Sequence, residues 1–198
     1  MLKIGLTGGI GSGKSTVARV IEAIGYPVFY SDLAAKKILE NNNKVKIELI
    51  KHFGEGVCRE NVIDRKILGQ LVFSNQKNLG IINGIVHPEV RNQFIQWTES
   101  QKMKLVFNEA AILFETGNYL QFDKNILVIA PESTRIERVM KRDNLSKDEV
   151  LKRILQQWKD DEKIPLADYI ISNDNRQPLL IQIEKIIEDL KMNENHFS

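Results

Sequence analysis

The chain has 198 residues, 42% of them hydrophobic, and a formal net charge of +2. This composition is typical of a globular protein with one sizeable core, and so small a charge gives no argument for nucleic-acid binding. No apolar run has the length that a membrane-spanning helix needs, so we expect no membrane partner.

Cys58 is the only cysteine. A single cysteine excludes an internal disulfide and a thiolate metal cluster, and it fits a reducing compartment. The first predicted strand begins at Leu2, which leaves no room for a signal peptide. We therefore expect a cytoplasmic protein without nucleic-acid or membrane partners.

A glycine-rich motif follows the first predicted strand. Leu2–Thr7 is a short apolar run, and Gly8–Ser15 fits the pattern G-x-x-x-x-G-K-[ST] of a phosphate-binding loop. Glycines let the backbone approach a phosphate closely, and successive N–H groups of such a loop form an anion-binding concavity. In this pattern Lys14 adds positive charge for the β- and γ-phosphates, and the Ser15 hydroxyl is placed to bind Mg²⁺.

The residues after the motif decide between a ligand site and a glycine-rich turn without a ligand. Val17, Val20, Ile21 and Ile24 have the spacing of one helix face, and Gly25 stands where a C-terminal helix glycine is common. Strand, glycine loop and helix thus occur in the order that phosphate binding requires, because the helix N-terminus then faces the anion. This order favours the ligand site.

An acidic residue follows the second predicted strand. Tyr26–Tyr30 is the strand, and Asp32 stands just beyond its carboxyl end. Ligands of open α/β sheets bind outside the carboxyl ends of strands, so we expect Asp32 near the phosphate loop. It can act as a base or orienter for an acceptor hydroxyl, or it can cap the helix that begins with Leu33. The two roles are compatible, and both remain open.

The segment 33–101 is predicted to be helical and is longer than an ordinary connection between strands. Asp64 is a candidate N-cap, and 75–86 is predicted as a separate helix. His87-Pro88 is predicted to begin a further helix, because proline is tolerated in a first turn. We interpret this segment as an inserted substrate lobe.

Leu105–Asn108 is a buried apolar run and the third predicted strand. Glu109 follows at its end, where an acidic residue can bind Mg²⁺ directly or through water. Glu115, farther along, either lines the pocket or is solvated.

Asp123–Ile129 is the fourth predicted strand, and two further helices lie within 132–165. Arg135, Arg138 and Arg142 cluster on the first of them. A solvated helix face explains any single arginine, whereas a group of arginines beside a phosphate loop suits a lid that closes over a triphosphate.

Ala167–Asn173 is the fifth predicted strand, and Pro178 begins the last helix. Asn173 stands at the carboxyl end of its strand, where it can contact adenine or serve the following turn. Strands alternating with helices predict an α/β fold, which we place in a single domain over 1–198. We divide it into a core of 1–32, 102–131 and 166–192, an acceptor lobe of 33–101 and a lid of 132–165.

Several short motifs accompany the phosphate-loop pattern, which extends over Leu6–Thr16. They are Asp32, Asp64-Arg65, His87-Pro88, Leu113-Phe114-Glu115, Arg142-Asp143 with Ser146, Gln157, Glu162-Lys163 and Ala167-Asp168. In order and spacing they resemble the dephospho-coenzyme A kinase family over nearly the whole chain. The chain departs from the family's pattern at Ala111, usually a proline, at Ile112, usually a leucine, and at Glu109, near where many members carry an aspartate.

The resemblance implies a P-loop NTPase-type, doubly wound five-stranded parallel sheet with an inserted helical substrate lobe and a helical lid. It implies a kinase that uses Mg²⁺ and transfers the γ-phosphoryl group of ATP to the ribose 3′-hydroxyl of dephospho-coenzyme A. This is the last step of coenzyme A biosynthesis. Lys14, Asp32 and Arg142 would be catalytic, with Asp32 receiving or orienting the hydroxyl proton.

The resemblance also implies binding residues. The ATP contacts would be Gly9, Gly11, Ser12, Gly13, Lys14, Ser15, Thr16, Arg138 and Asn173. The substrate contacts would be Asp32, Arg65, His87, Leu113 and Phe114. Ser15 would bind Mg²⁺ directly, and Glu109 is a second candidate. The partners would be ATP and dephospho-coenzyme A, and we expect a monomer or a weak homo-oligomer.

Two other functions fit part of the pattern. A nucleoside or nucleotide kinase of the same fold would use the same loop and an acid after the second strand, but it would phosphorylate a 5′-hydroxyl or a phosphate. A nucleotide-binding regulatory module would hydrolyse slowly and present a partner surface. A lid and a separate acceptor lobe favour the transferase, because a lid keeps water from the phosphoryl group.

Overall fold

A computed structural model describes residues 1–194, and the side chains of residues 73, 74, 76, 193 and 194 lie outside the description. None of the described helices has both the length and the apolar character needed to cross a membrane. In chain order the elements are β1 Leu2–Gly8, α1 Lys14–Ala23, β2 Val28–Tyr30, α2 Ser31–Asn41, α3 Asn43–Phe53, β3 Cys58–Arg59, β4 Val62–Ile63, α4 Arg65–Ser74, α5 Gln76–Glu99, β5 Leu105–Glu109, β6 Lys124–Ile129, α6 Glu132–Asp143, α7 Lys147–Ile154, α8 Asp160–Lys163, β7 Tyr169–Ser172 and α9 Leu179–Glu194.

The chain forms two compact units. The sheet unit comprises Met1–Phe29 and Gln101–Ser198, and the helical unit comprises Tyr30–Ser100.

Five strands form the main sheet, in the order β2-β5-β1-β6-β7. The central strand β1 runs parallel to both β5 and β6, and β6 runs parallel to β7. Their nearly continuous apolar runs are typical of strands that helices cover on both faces. The predicted α/β fold with a five-stranded parallel sheet is confirmed.

The strand register brings distant segments together at the carboxyl edge of this sheet. Leu6 of β1 pairs with Glu109 of β5, and Gly8 pairs with Val128 of β6. The Asn173 N–H, just after β7, donates to the carbonyl of Ile129 at 2.8 Å. The glycine loop therefore leaves β1 beside the ends of its neighbouring strands.

The segment after β6 forms a helical hairpin of α6 and α7. Asn144, with a left-handed φ of 52°, ends α6, and Ser146 forms a capping box with Glu149 at the start of α7. A small core of three buried side chains lies between the two helices, namely Ile136, Val139 and Val150.

The helical unit has a hydrophobic core of its own. Side-chain caps begin three of its helices, with Asn42 capping α3, Asp64 capping α4 and Asn75 capping α5. The predicted cap at Asp64 is confirmed. The buried side chains of the core are Ile38, Val45, Leu49, Val57, Ile63, Leu68 and Val86.

The helical unit differs from the prediction in two places. The separate helices expected on either side of His87 form one continuous helix, α5, with Pro88 inside it. Proline removes one backbone hydrogen bond, but side chains before and after it, such as Ile82 and Val90, pack against the same core and hold the helix together. The short antiparallel pair β3–β4 was not predicted.

Candidate functional site

The glycine loop connects β1 to α1 in a conformation that only glycine adopts readily. Gly11 has a φ of 79° and Gly13 a φ of 94°, both in the left-handed region. A Cβ at Gly11 would lie 2.5 Å from the carbonyl oxygen of Arg135, and a Cβ at Gly13 would collide with the Asn173 amide. The glycines of the motif are therefore required by backbone geometry and by close packing from α6 and from the turn after β7.

The helix that leaves the loop presents an N-terminus suited to an anion. Gly13 occupies its N-cap position, with no side-chain cap, and the first turn contains no acidic residue. The unsatisfied N–H groups of a helix start carry about half a positive charge. Lys14 adds a full charge at the same place, so the site favours phosphate.

A carboxylate lies beside the lysine and serine of the loop. Glu109 is buried at the end of β5, with one carboxylate oxygen 3.7 Å from Lys14 Nζ and 3.3 Å from Ser15 Oγ. A hydroxyl and a carboxylate are hard oxygen ligands of the kind that Mg²⁺ prefers. The two predicted metal ligands thus lie together, although the described residues hold no group of three or more acidic, histidine or cysteine side chains arranged around one metal position.

Two polar side chains hold the outward-facing carbonyls of the loop. Asn173 Nδ2 donates to the Ser12 carbonyl at 2.8 Å. Arg138 lies 3.5 Å from the Gly11 carbonyl oxygen and 3.4 Å from that of Ser12, and it also donates to the Asn173 carbonyl at 3.2 Å. The predicted ATP contacts Arg138 and Asn173 therefore lie against the loop itself.

A pocket of about 610 Å³ opens beside the first turn of α1. This volume suits a small organic ligand such as a nucleoside. Its lining combines loop, α6 and the turn after β7: Gly13, Thr16, Arg138, Asn173, Asn175, Arg176, Gln177, Pro178 and Leu179.

Arg135 and Gln157 both contact the loop, and the sequence predicted neither contact. Arg135 is buried, donates from Nε to the Ile10 carbonyl at 3.0 Å, and pairs with Asp160 at 3.3 Å. Gln157 accepts a hydrogen bond from the Ile10 N–H at 2.7 Å. Arg135 belonged to the basic cluster and Gln157 to the family motifs, but neither position signalled a partner in the loop.

Arg142 lies on the exposed side of the hairpin, and its side chain is 62% exposed. Its guanidinium donates twice to Asp143, at 2.7 and 2.9 Å, and Arg153 donates to the same carboxylate at 3.1 Å. The hydrogen bond that Arg142 donates to Asp143 raises the pKa of Arg142 and lowers the pKa of Asp143. Among the described hydrogen bonds and ion pairs, Arg142 contacts Asp143 and no loop residue.

Leu113 and Phe114, predicted to contact substrate, are core residues of the sheet unit. Their exposed fractions are 2% and 1%. Glu115, next in sequence, pairs at 2.7 Å with Lys163, which is fully buried. Of the two alternatives for Glu115, the solvated one is wrong, because its side chain is only 12% exposed and pairs with the buried charge of Lys163.

Three predicted residues lie within the helical unit. Asp32 stands in the first turn of α2, whose N-cap is Tyr30, so the expectation that Asp32 is the cap itself is wrong. Its charge still favours this position because a helix start attracts anions. Arg65 is the exposed first residue of α4.

His87 of α5 lies within the electrostatic reach of Asp32, since α2 packs against α5. Burial lowers the pKa of His87, the charge of Arg91 lowers it further, and Asp32 opposes both effects. Burial therefore favours the neutral form of the imidazole. Asp32 and His87 thus interact electrostatically within the helical unit.

Comparisons with known proteins agree with this geometry. The family model described as dephospho-CoA kinase matches residues 2–178. The dephospho-CoA kinase of Bacillus licheniformis is 42% identical over 176 residues, covering 87% of this chain and 88% of that protein.

Two solved structures are similar to this chain over nearly its whole length. That of TT1252 from Thermus thermophilus has a TM-score of 0.86 at 37% identity, covering 95% of this chain and 96% of that one. Dephospho-CoA kinase from Campylobacter jejuni has a TM-score of 0.69 at 29% identity, covering 97% and 98%. The chain belongs to the dephospho-CoA kinase family, the kinases that complete coenzyme A biosynthesis.

Proposed function

We propose that this chain carries out its family's reaction with the residues described above. The γ-phosphoryl group of ATP passes to the ribose 3′-hydroxyl of dephospho-coenzyme A, and the products are coenzyme A and ADP. The observation that carries the proposal is the glycine loop, whose Lys14 and Ser15 meet the buried carboxylate of Glu109 at the end of β5.

The loop and the start of α1 bind the phosphates of ATP. The residues in contact are Gly9, Gly11, Ser12, Gly13, Lys14, Ser15 and Thr16. Lys14 stabilises the charge that shifts between the phosphates during transfer. Because Lys14 lies 3.7 Å from Glu109, part of its charge is balanced before ATP arrives.

Ser15 and Glu109 supply the oxygen ligands for a Mg²⁺ ion that accompanies ATP. When bound, this ion neutralises phosphate charge. The hydroxyl of Ser15 and the carboxylate of Glu109 are already 3.3 Å apart, so little rearrangement is needed to present both oxygens to a cation.

The pocket beside α1 receives the nucleoside part of ATP. Asn173 and Arg138 form the boundary between this pocket and the loop, and both are tied to loop carbonyls. A purine there can stack on the guanidinium plane of Arg138 and can hydrogen-bond to the turn after β7. The pocket and the loop thus fix the position of the base relative to the phosphates of the same ATP molecule.

Asp32 receives or orients the proton of the acceptor hydroxyl. A ribose hydroxyl is a poor nucleophile at neutral pH, and a carboxylate within hydrogen-bond reach improves it. His87, whose pKa is lowered by burial, lies in the same unit and assists in orienting the acceptor, with Arg65 as a further predicted substrate contact. Most of the rate enhancement comes from positioning and charge stabilisation, to which Arg142 contributes from α6.

The test is an acceptor panel with purified protein, ATP and Mg²⁺. ADP release is measured with dephospho-coenzyme A, adenosine, AMP, CMP, shikimate and no acceptor. We expect turnover only with dephospho-coenzyme A. Turnover with a nucleoside or nucleotide would contradict the acceptor assignment, and slow hydrolysis without any acceptor would point to a regulatory module.

The proposal has consequences for partners and place of action. ATP and dephospho-coenzyme A are the ligands, and no nucleic acid or membrane is needed for this chemistry. We expect the chain to act in the cytoplasm as a monomer or weak homo-oligomer, with a molar mass in solution near the 22.7 kDa of one chain.

A further inference from the structure

The peptide groups around Ile10 in the glycine loop are held from outside the loop. The Ile10 N–H donates to Gln157 Oε1 at 2.7 Å, and the Ile10 carbonyl accepts from Arg135 Nε at 3.0 Å. The Ile10 side chain packs against the small core between α6 and α7. Backbone and side chain of this one residue are therefore anchored to the segment that follows β6.

Anchoring Ile10 determines where the next amide points. In a trans peptide the C=O and the following N–H point in opposite directions. Since the Ile10 carbonyl faces Arg135, the Gly11 N–H faces away from Arg135. The Ile10 N–H faces Gln157, and the Gly9 carbonyl, on the other side of that peptide, accepts from the Ser12 N–H at 3.0 Å. The outer hydrogen bonds thus set the inner face of the loop.

Gln157 connects the loop to the segment after β5 as well. Its Nε2 donates to the Ala111 carbonyl at 3.4 Å, two residues beyond Glu109. A glutamine amide carries both an acceptor and a donor, so one side chain satisfies the Ile10 N–H and the Ala111 carbonyl together. A glutamate at this position would place an acceptor against the Ala111 carbonyl oxygen. A lysine would have no acceptor for the Ile10 N–H.

The chain around Gln157 is itself fixed. Glu115 accepts from the Trp158 N–H at 3.3 Å and pairs with buried Lys163 at 2.7 Å. Asp160 lies 3.3 Å from Arg135, the other anchor of Ile10. Residues 157–163 therefore contact or position both partners of the Ile10 backbone, and they also contact the segment after β5.

We propose that Gln157 is a positioning residue for the phosphates of ATP. By fixing the Ile10 peptide relative to Ala111, it orients the Gly11 N–H toward the anion site and keeps the loop at a set distance from Glu109. The inference rests on the proposed binding of ATP phosphates by the loop. Gln157 acts through Ile10 and touches no reacting atom.

The test compares Gln157→Met with the matched control Gln156→Met, which changes the exposed neighbouring glutamine. Methionine has nearly the length of glutamine without its hydrogen bonds. We measure the Kd of ATP by calorimetry, the KM of dephospho-coenzyme A, kcat, and Tm. Gln157→Met is expected to weaken ATP binding about tenfold, the scale of one lost hydrogen bond to a preorganised loop, and to leave the KM of dephospho-coenzyme A within about twofold. Gln156→Met should match the wild type.

A second variant keeps the test valid if Gln157→Met does not fold. Gln157→Asn keeps the amide but is one methylene too short to reach both partners, so it should show the same selective loss for ATP. An ATP Kd within about twofold of the wild type in either folded variant would overturn the proposal. So would equal losses for both substrates, or failure of both variants to fold, because Gln157 would then serve stability alone. If the wild type itself does not bind ATP, the proposed function fails, and this result is distinct from the others.

Discussion

The two units hold their candidate residues in different ways. In the sheet unit, Lys14 is only 15% exposed and pairs with buried Glu109, and the loop carbonyls are bound by Arg138 and Asn173. In the helical unit, Asp32 and Arg65 are exposed residues in the first turns of helices. Under the proposed function, the phosphate-binding residues are organised before ATP arrives, whereas Asp32 and Arg65 are exposed side chains that can adjust to the acceptor.

This difference matters because phosphoryl transfer needs fixed charges more than it needs covalent chemistry. Dipoles held by buried hydrogen bonds need not reorganise when charge moves between phosphates. A hydroxyl acceptor needs only one well-placed carboxylate to lose its proton. We therefore expect substitutions in the sheet unit to affect both ATP binding and rate, and substitutions in the helical unit to affect rate alone.

The largest expected effect comes from Lys14→Ala. Turnover should fall about 10⁴-fold, because the charge on the transferring group loses its closest cation. ATP affinity should fall with it, and Tm should change by no more than a few degrees. The control is Lys102→Ala, an exposed lysine of the same unit. Near-normal turnover in Lys14→Ala would contradict the assignment of the loop.

Arg142→Ala should slow transfer about 10³-fold, as loss of an arginine that stabilises the phosphoryl group does in related chemistry. In this role Arg142 must leave Asp143 and bind phosphate instead. Arg153→Ala is the matched control, because Arg153 donates to the same carboxylate of Asp143. At saturating ATP, the transfer rate should be low in Arg142→Ala and near that of the wild type in Arg153→Ala. Equal rates in the two variants would remove Arg142 from the site.

Asp32→Asn should reduce kcat about 10²-fold while the Kd of ATP stays unchanged, because the amide cannot take a proton. Glu40→Gln, at an exposed acid of the same helix, is the control. If only Tm changes in Asp32→Asn, the carboxylate serves the helix start and not the reaction. If ATP binding weakens as well, the division between the two units is not as we describe it.

The smallest expected effect is on stability and depends on pH. Burial is the main cause that lowers the pKa of His87 below 6.5. Near and below that pH, the unfolded chain thus binds more protons than the folded chain. The contribution of His87 to stability should therefore decrease as the pH falls from 7 to 5. In His87→Gln the decrease in Tm over this range should be smaller by roughly 1–3 °C. His52→Gln, at an exposed histidine of the same unit, should behave as the wild type, and an unchanged pH profile in His87→Gln would contradict the burial argument.

Much of the sheet unit followed from the sequence because its signals are local. Each strand is an apolar run with a turn after it, and the loop pattern with its following helix face is contained in residues 2–25. The strand order is not local, since β1 lies between β5 and β6. The pairing of Glu109 with Lys14 depends on that order.

The contacts that sequence analysis missed all join distant residues. Gln157 and Ile10 are 147 positions apart, and nothing around either residue indicates the other. Arg135 shares a helix with Arg138 and Arg142, and only the packing of α6 against the loop shows which arginine is buried. The continuous α5 was missed for a different reason. Local rules place a proline at the start of a helix, whereas packing against the core of the helical unit compensates for the hydrogen bond that Pro88 removes.

The central claim is that this chain transfers the γ-phosphoryl group of ATP, held by the glycine loop, to one hydroxyl of dephospho-coenzyme A. The most direct test is ³¹P NMR of the products formed from ATP and dephospho-coenzyme A by the wild type and by Lys14→Ala. We predict a new 3′-phosphomonoester signal, one equivalent of ADP for each product formed, and neither in Lys14→Ala. A phosphate at any other position, or ADP release without a phosphorylated product, would contradict the account.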